Sequence, residues 1–308
     1  MRLHKINYLF KQKGFRWGVR YLFNNIFSLK SSYKWQCRNL KTNMEDYDML
    51  KKKYSYLISK TDWKQKSVFP NEKIIWTCWL QGEEYAPDIV KICWNSVKVN
   101  LKDYKLVVIT SDNIDEYVQF PKYIYDKYKS GYISSAHFTD LLRLELLEKY
   151  GGIWFDATVL CTSDDFIRNL ERNNVELFVY KDVFSLDQTG AISNWFIYSK
   201  INNPFIHTVK KMLYEYWKKY DYPCNYFIFH MFFMIIAEYR HEEWNNIPTF
   251  SNVPPHIMQK ELFDVYKKNR IEDIFNMTSI HKLSYKFDDE KFKRLNTNYM
   301  YLYKKYMA

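Results

Sequence analysis

The residues best suited to chemistry in this sequence are two aspartates and one arginine that lie close together. Asp140 and Arg143 are three positions apart, so a helix would place their carboxylate and guanidinium groups on one face. Asp156 directly follows Ile153-Trp154-Phe155, and strand alternation would put Trp154 and Asp156 on the same face. These groups could bind a polar ligand, or they could be a surface ion pair and a turn aspartate. The spacing leaves both interpretations open.

A helix, a turn and a strand must position these three side chains. Ser134 or Ser135 can cap a helix, and a leucine-rich stretch follows them. Gly151-Gly152 is a typical helix terminator. The short apolar run 153–155 is then predicted to be a strand that ends at Asp156.

An earlier segment predicts the sheet to which this strand belongs. Residues Ile74–Trp79 and Leu106–Thr110 are apolar and β-prone, and Pro87–Asn100 between them has a helical pattern. A strand, a helix and a strand at this spacing predict a βαβ unit and therefore a parallel sheet in an α/β fold. Ligands bind beyond the carboxyl ends of such strands, so 77–81 and 110–113 are candidate ligand loops.

The composition is that of a folded globular protein. Of 308 residues, 47% are hydrophobic and 26% are charged, and 7 Gly and 8 Pro exclude collagen-like and low-complexity chains. The five cysteines show no C-x-x-C spacing, which favours reduced thiols in a cytoplasmic protein. No secretory signal is evident. The most apolar run, Tyr226 to Ala237, is too short to span a bilayer and is predicted to be a buried helix.

The positive charge is concentrated at the beginning of the chain. Residues 1–70 contain 16 Lys/Arg and 4 Asp/Glu, whereas residues 71–308 contain 30 and 31. The near-neutral body argues against a nucleic-acid enzyme, and a basic RNA-binding module is the weaker alternative. Residues 1–43 carry ten Lys/Arg, no acid and interleaved aromatic residues. They are either a peripheral anchor on an anionic membrane surface or a basic helical arm packed on the body. We therefore divide the chain into a basic, aromatic-rich helical segment, 1–70, and an α/β domain, 71–308.

The segment around the two aspartates resembles a known family. The pattern is similar to the DxD core of family 32 glycosyltransferases and capsular polysaccharide synthesis proteins. It is carried by Ala136, Asp140, Arg143, Tyr150, Gly151, Gly152, Trp154 and Asp156. Softer similarities occur at Ile192–Ile197 with Asn203-Pro204, and at His281–Lys286. The resemblance covers about residues 71–286.

This resemblance implies a GT-A-like nucleotide-binding sandwich with a mainly parallel central sheet. It also implies a hexosyltransferase that moves a sugar from a nucleotide sugar, most simply a UDP-sugar, with retention of configuration. The expected acceptor is a lipid-linked saccharide in bacterial capsular or surface polysaccharide synthesis. Such an enzyme would be cytoplasmic and peripheral to the inner face of the cell membrane. The alternative is an inactive sugar- or nucleotide-binding protein on the same fold.

The resemblance also implies roles for individual residues. Asp140, Arg143 and Asp156 are expected to be catalytic and to contact the donor. The further expected donor contacts are Trp76, Thr77, Trp154, Asn194, Lys282 and Lys286.

The same resemblance implies a divalent cation, Mn²⁺ or Mg²⁺, held by Asp156, Thr158 and His281. The sequence departs from the family pattern here, because Asp156-Ala157-Thr158 has threonine in place of the second acid. A neutral hydroxyl is a poorer ligand for a hard cation than a carboxylate. Three outcomes are therefore open: a metal held by Asp156 and another residue such as His281, a weakly held metal, or no metal.

Overall fold

A five-stranded sheet lies at the centre of the protein. The computed structural model describes residues 33–182 and 187–307. Its strands are β1 (Ile74–Cys78), β2 (Lys105–Ile109), β3 (Gly152–Phe155), β4 (Val159–Cys161), β5 (Leu177–Lys181), β6 (Ile192–Ser199) and β7 (Ile280–Lys282). The order in the central sheet is β2-β1-β3-β6-β5, and β4 and β7 form a separate antiparallel pair.

Helices cover this sheet. They are α1 (Tyr33–Tyr54), α2 (Tyr56–Ser59), α3 (Asp88–Asn100), α4 (Ile114–Tyr117), α5 (Lys122–Lys129), α6 (Ser135–Tyr150), α7 (Asp165–Arg172), α8 (Pro204–Lys219), α9 (Ile228–Tyr239), α10 (His241–Asn245), α11 (Val253–Lys260), α12 (Lys268–Met277), α13 (Asp289–Phe292) and α14 (Asn298–Met307). Short 3₁₀ turns occur at Glu83–Tyr85 and Gln188–Gly190.

The central sheet is mixed but mainly parallel, which confirms the predicted fold class. β1 runs parallel to both β2 and β3, and β6 runs antiparallel to both β3 and β5. Four strands therefore point the same way, and only β6 opposes them. The predicted βαβ unit is present as β1, α3 and β2, with Cys78 opposite Ile109 at its carboxyl end.

The turn between α6 and β3 requires glycine. Ser134 caps α6 by accepting a hydrogen bond from the His137 N–H, and the helix ends at Gly151 with φ of 64°. Gly152 has φ of 93°, and a Cβ atom there would lie 2.5 Å from the Ile74 carbonyl oxygen. Only glycine tolerates both this backbone conformation and this close approach of β1. The turn therefore fixes how the helix and the strand tip meet.

Side chains on both faces of the sheet are buried, as the apolar strands predict. Trp76 and Trp154 pack on one face with α6, α8 and α9. Ile75 and Ile153, one position earlier in each strand, pack on the other face in a cluster with residues of α3 and α7. The apolar run 226–237 does form a buried helix, although α9 begins at Ile228.

Helix α1 is part of the same core as the sheet. Leu50 and Tyr54 are fully buried, and the Tyr54 ring lies 5.3 Å from the Phe232 ring of α9. Asn43 donates a hydrogen bond to Asp187, beside the short turn that follows β5. The proposed boundary at residue 70 therefore does not separate two hydrophobic cores, because residues before it complete the body.

Residues 1–32, which make up most of the acid-free stretch 1–43 predicted to be an anchor or an arm, lie outside the described residues. Within 33–182 and 187–307, no helix is both long enough and apolar enough to cross a membrane.

Candidate active site

A cleft of about 300 Å³ opens at the carboxyl ends of β1 and β3. Helix α6 contributes Asp140 and Arg143, the end of β3 contributes Asp156, β6 contributes Asn194, and β7 contributes Lys282. Together with Trp154 and Thr158, seven of the predicted site residues therefore line one cleft. The cleft has the position at which α/β sheets generally bind ligands.

Arg143 is held in one orientation by contacts on every side. Its side chain is 5% exposed, its Nε–H donates to the Thr139 carbonyl oxygen at 3.2 Å, and its Nη1 donates to the Asn194 carbonyl oxygen. The guanidinium carbon lies 4.9 Å from the centre of the Trp154 ring, which is a cation–π contact. A buried, fully oriented guanidinium gives the cleft a fixed positive charge.

Asp140 is the buried partner of this guanidinium. Arg143 Nη2 lies 3.4 Å from Asp140 Oδ1, and Asn194 Nδ2 donates to the same oxygen at 2.9 Å. His137 Nδ1 is 3.5 Å from the other carboxylate oxygen. Burial raises the pKa of Asp140, but Arg143 and His137 outweigh it, so the pKa lies below its ordinary value. Asp140 is therefore ionised at neutral pH.

Asp156 lies at the tip of β3 and is more open to solvent. Its side chain is 30% exposed. Trp154 donates its Nε1–H to Oδ1 at 3.1 Å, and Lys282 donates to Oδ2 at 2.9 Å. Arg143 Nη2 is 3.6 Å from Oδ1. Burial raises the pKa of Asp156, but Lys282 and Arg143 more than compensate, so this carboxyl is also ionised.

The pairing of β4 with β7 delivers Lys282 to this carboxylate. Val159 lies opposite Lys282 in the register, and the Leu283 N–H donates to the Thr158 carbonyl oxygen at 2.8 Å. Lys282 Nζ also donates to the Thr158 hydroxyl at 2.8 Å. One ammonium group therefore bridges the first and third positions of the Asp156-Ala157-Thr158 motif.

The three residues predicted to bind a metal do not form one site. His281 precedes Lys282 in β7, so its side chain points to the opposite side of the strand, where it is fully buried 5.4 Å from the Phe275 ring. Burial lowers the pKa of His281 to about 3. Among the described residues, no group of three or more His, Cys, Asp and Glu side chains could hold a metal ion. The donor set at Asp156 and Thr158 does not fit a divalent cation, because an ammonium group already bridges it.

Three predicted donor contacts lie outside the cleft lining. Trp76 is 1% exposed and donates its Nε1–H to the Gly151 carbonyl oxygen at 2.9 Å. Thr77 is also buried. Lys286 is exposed, with its ammonium 5.7 Å from the Tyr285 ring. Trp76 and Thr77 lie within β1, and the residues of this segment that line the cleft are the next two, Cys78 and Trp79. Trp154, by contrast, lines the cleft as predicted.

Aromatic residues lie at two edges of the cleft, and of these only Trp79 falls in a predicted ligand loop, 77–81. Trp79 and Tyr285 line it with their rings 5.2 Å apart. Tyr226 and Phe227 line it from another element and are 64% and 46% exposed. The apolar pattern placed these two inside a buried helix. Asn225, whose side-chain oxygen accepts from the Phe227 N–H, is the sequence signal that the helix begins later.

His230 also lines the cleft. Its Nδ1 is buried without a hydrogen-bond partner in the described structure. Burial lowers its pKa to about 4, more than the nearby Asp140 carboxylate raises it. The imidazole is therefore neutral at pH 7 and can donate or accept a hydrogen bond in the cleft.

No curated protein matches this chain. Among solved structures it is similar to the PaToxG glycosyltransferase, with 14% identity over 67% of this chain and 81% of that one, and a TM-score of 0.37. The model of the family described as "Capsular polysaccharide synthesis protein" matches residues 27–304. With nearly its whole length matched, the chain belongs to the capsular polysaccharide synthesis protein family.

Proposed function

We propose that this protein is a glycosyltransferase that moves a sugar from a nucleotide sugar to a saccharide acceptor during capsular polysaccharide synthesis. The observation that carries the proposal is the convergence of Asp140, Arg143, Asp156, Asn194 and Lys282 in one cleft. Family membership supports the same pathway. The mainly parallel sheet agrees with a GT-A-like fold.

The charges in the cleft suit a sugar diphosphate. Lys282 and Arg143 supply positive charge for a leaving diphosphate, whose oxygens are strong hydrogen-bond acceptors. Asp156, which is partly exposed, can accept hydrogen bonds from hydroxyl groups of the sugar or the ribose. The Trp79 and Tyr285 rings offer faces on which a base such as uracil could stack. A UDP-sugar is therefore our proposed donor.

The proposed reaction retains configuration at the anomeric carbon. The bond between that carbon and the diphosphate oxygen breaks, and a bond to the acceptor oxygen forms on the same face. The acceptor hydroxyl proton passes to the departing diphosphate, so no side chain has to act as a base behind the sugar. Arg143 and Lys282 stabilise the charge that develops on the diphosphate oxygen.

Tyr226 and Phe227 are the proposed acceptor platform. Both rings are exposed at the edge of the cleft, and aromatic faces pack well against the apolar faces of sugar rings. A lipid-linked saccharide would bring this edge close to a membrane. The seven Lys/Arg and the absence of acids within residues 1–32 support attachment to an anionic inner leaflet.

A thermal-shift screen of the full-length protein against UDP-, GDP- and CDP-sugars tests the donor assignment. We expect a UDP-sugar to raise the unfolding temperature, because a ligand that binds only the folded state stabilises it. The same ligand should then be consumed in a transfer assay with saccharide acceptors. Binding without any turnover would favour the inactive sugar-binding alternative, and no stabilisation by any nucleotide sugar would contradict the proposal.

Vesicle co-sedimentation tests the membrane assignment. We expect the full-length protein to sediment with vesicles that contain phosphatidylglycerol and to be released by salt, since exposed charges are screened beyond about 10 Å at 0.1 M. The matched variant replaces the seven Lys/Arg of residues 1–32 with Gln. Equal sedimentation of the two proteins would show that these charges do not attach the chain to membranes.

A further inference from the structure

We propose that Lys282 takes the place of a divalent cation in the donor site, so that the protein binds a nucleoside diphosphate without a metal. This inference rests on the proposed glycosyltransferase function and specifies how its donor is held. It starts from the one feature in which the cleft departs from the family's Asp-x-Asp pattern, the threonine at position 158.

The position of the ammonium group is the first argument. Lys282 Nζ lies 2.9 Å from Asp156 Oδ2 and 2.8 Å from Thr158 Oγ1. It therefore occupies the space between the two side chains that would both have to face a metal. The backbone pairing of β4 and β7 fixes the base of the lysine side chain, so this placement follows from the fold and not from a freely rotating surface residue.

The charge balance of the motif is the second argument. Two carboxylates at positions 156 and 158 would balance a divalent cation. With threonine at 158, the motif carries only one negative charge, and the single positive charge of Lys282 balances it. The nearby Arg143 and Asp140 form a second pair of opposite charges. A divalent cation at Asp156 would lie against an ammonium and near a guanidinium, and both would repel it.

The lack of further ligands is the third argument. A hard cation needs several oxygen ligands, and Thr158 offers a neutral hydroxyl that already accepts from Lys282. His281 is fully buried on the other side of β7. Asp140 is engaged by Arg143 and Asn194. The Lys282 side chain is 18% exposed and lines the cleft, so it can contact a diphosphate there.

Calorimetric titration of the full-length protein with UDP, in EDTA and in Mn²⁺, tests this inference directly. We expect the dissociation constants in the two conditions to agree within about twofold, since Lys282 already supplies the positive charge. Binding only in Mn²⁺ would overturn the inference and leave the proposed function intact. No binding of UDP, GDP or CDP in either condition would instead contradict the proposed function, and this inference would fall with it.

Variants at Lys282 test the assignment to this residue. In EDTA, Lys282→Ala should weaken UDP binding by roughly 10- to 100-fold, the usual effect of losing a charge-assisted contact. Lys286→Ala removes the same charge from an exposed position outside the cleft lining and controls for net charge. Comparable losses in both variants, or unchanged affinity in Lys282→Ala, would overturn the assignment. Lys282→Arg and thermal unfolding of each variant separate loss of the charge from loss of the fold.

The double variant Lys282→Ala/Thr158→Asp should acquire the metal dependence that the natural chain lacks. Removing the ammonium and adding a carboxylate recreates a site with two negative charges. We expect Mn²⁺ to strengthen UDP binding by this variant at least about tenfold over EDTA. Absence of any Mn²⁺ effect would show that the space between positions 156 and 158 is not equivalent to a metal site.

Discussion

The two carboxylate–cation pairs of the cleft differ in burial and in how they are built. Asp140 and Arg143 are 9% and 5% exposed and lie one helical turn apart on α6. Asp156 and Lys282 are 30% and 18% exposed, and 126 residues separate them in the sequence. The inner pair, Asp140–Arg143, is surrounded by protein, whereas the outer pair, Asp156–Lys282, faces the ligand space. In the proposed function, the inner pair therefore holds the site in place and supplies the Arg143 charge from within the protein, whereas the outer pair meets the donor directly.

The energetics of the two pairs should differ accordingly. A buried charge that loses its partner is strongly destabilising, because it can neither reach water nor find another counter-ion. A partly exposed charge is screened by solvent and contributes little to stability. Changes to the inner pair should therefore affect folding, and changes to the outer pair should affect binding and transfer.

Replacing Arg143 with Met should have the largest effect on stability. It leaves Asp140 buried without its guanidinium and removes the bond to the Asn194 carbonyl oxygen. We expect the free energy of unfolding to fall by about 3–5 kcal/mol, measured by urea denaturation. The matched change in the outer pair, Lys282→Met, should cost about 1 kcal/mol or less. Equal losses in the two variants would contradict the division between the pairs.

Replacing Asp156 with Asn should reduce activity strongly and stability only slightly, the opposite of the change at Arg143. We expect turnover of the identified donor to fall by roughly 100- to 1,000-fold, the usual effect of removing one polar group aimed at the reacting centre. The free energy of unfolding should change by less than about 1 kcal/mol, because the side chain is partly exposed at a strand tip. Steady-state kinetics and denaturation of the same preparation check both. An active, or an unfolded, Asp156→Asn protein would break the comparison.

Asp140 should contribute to the acid sensitivity of folding. The folded-state pKa of Asp140 lies below the ordinary value of 3.8. A depressed carboxyl pKa contributes stability above the unfolded-state pKa, and this contribution is lost as the pH falls through the folded-state value. Asp140→Asn should therefore be destabilised at pH 7, and its deficit relative to wild type should shrink below about pH 4. Denaturation at a series of pH values measures this, and a deficit independent of pH would contradict it.

Replacing Thr158 with Val should have the smallest effect. The substitution keeps the shape of a buried side chain and removes only the hydroxyl that accepts from Lys282. The ammonium keeps its bond to Asp156, so we expect UDP affinity to fall by only about two- to tenfold, equivalent to one hydrogen bond. Calorimetry with UDP in EDTA measures the change. A loss as large as that of Lys282→Ala would mean that Thr158 contacts the donor itself.

Local sequence patterns predicted the inner pair but not the partner in the outer pair. Asp140 and Arg143 share one helix, so their spacing and the flanking Ser134 and Gly151 determine their geometry. Lys282 is brought to Asp156 by the pairing of β4 with β7, and each of these strands is only three residues long. Such short strands carry no readable periodicity, and nothing in the sequence fixes their register. His281 was expected as a ligand from the family resemblance, which carries no information on register, and it faces the opposite side of β7.

In the central sheet, too, local sequence patterns predicted some strands and not others. The parallel strands β1 and β2 were predicted because the helix between them is regular and the spacing is that of a βαβ unit. Strands β5 and β6 are buried along most of their length and show no alternation. The antiparallel pairing of β6 with β3, which ends 37 positions before it, joins segments that no local pattern connects. The ends of β1 were predicted less accurately than its existence, which is why Trp76 and Thr77 were expected in the cleft.

The distance along the chain between Asp156 and Lys282 has a consequence for synthesis. At about 5–20 residues per second, the ribosome needs roughly 6–25 s to add the 126 residues that separate them. During that interval the growing chain already contains both carboxylates and Arg143, but Asp156 has no ammonium partner. An anionic ligand would meet excess negative charge at this point. Under the proposed function, the nascent chain therefore lacks the Lys282 charge that would hold a nucleotide sugar until β7 has been synthesised.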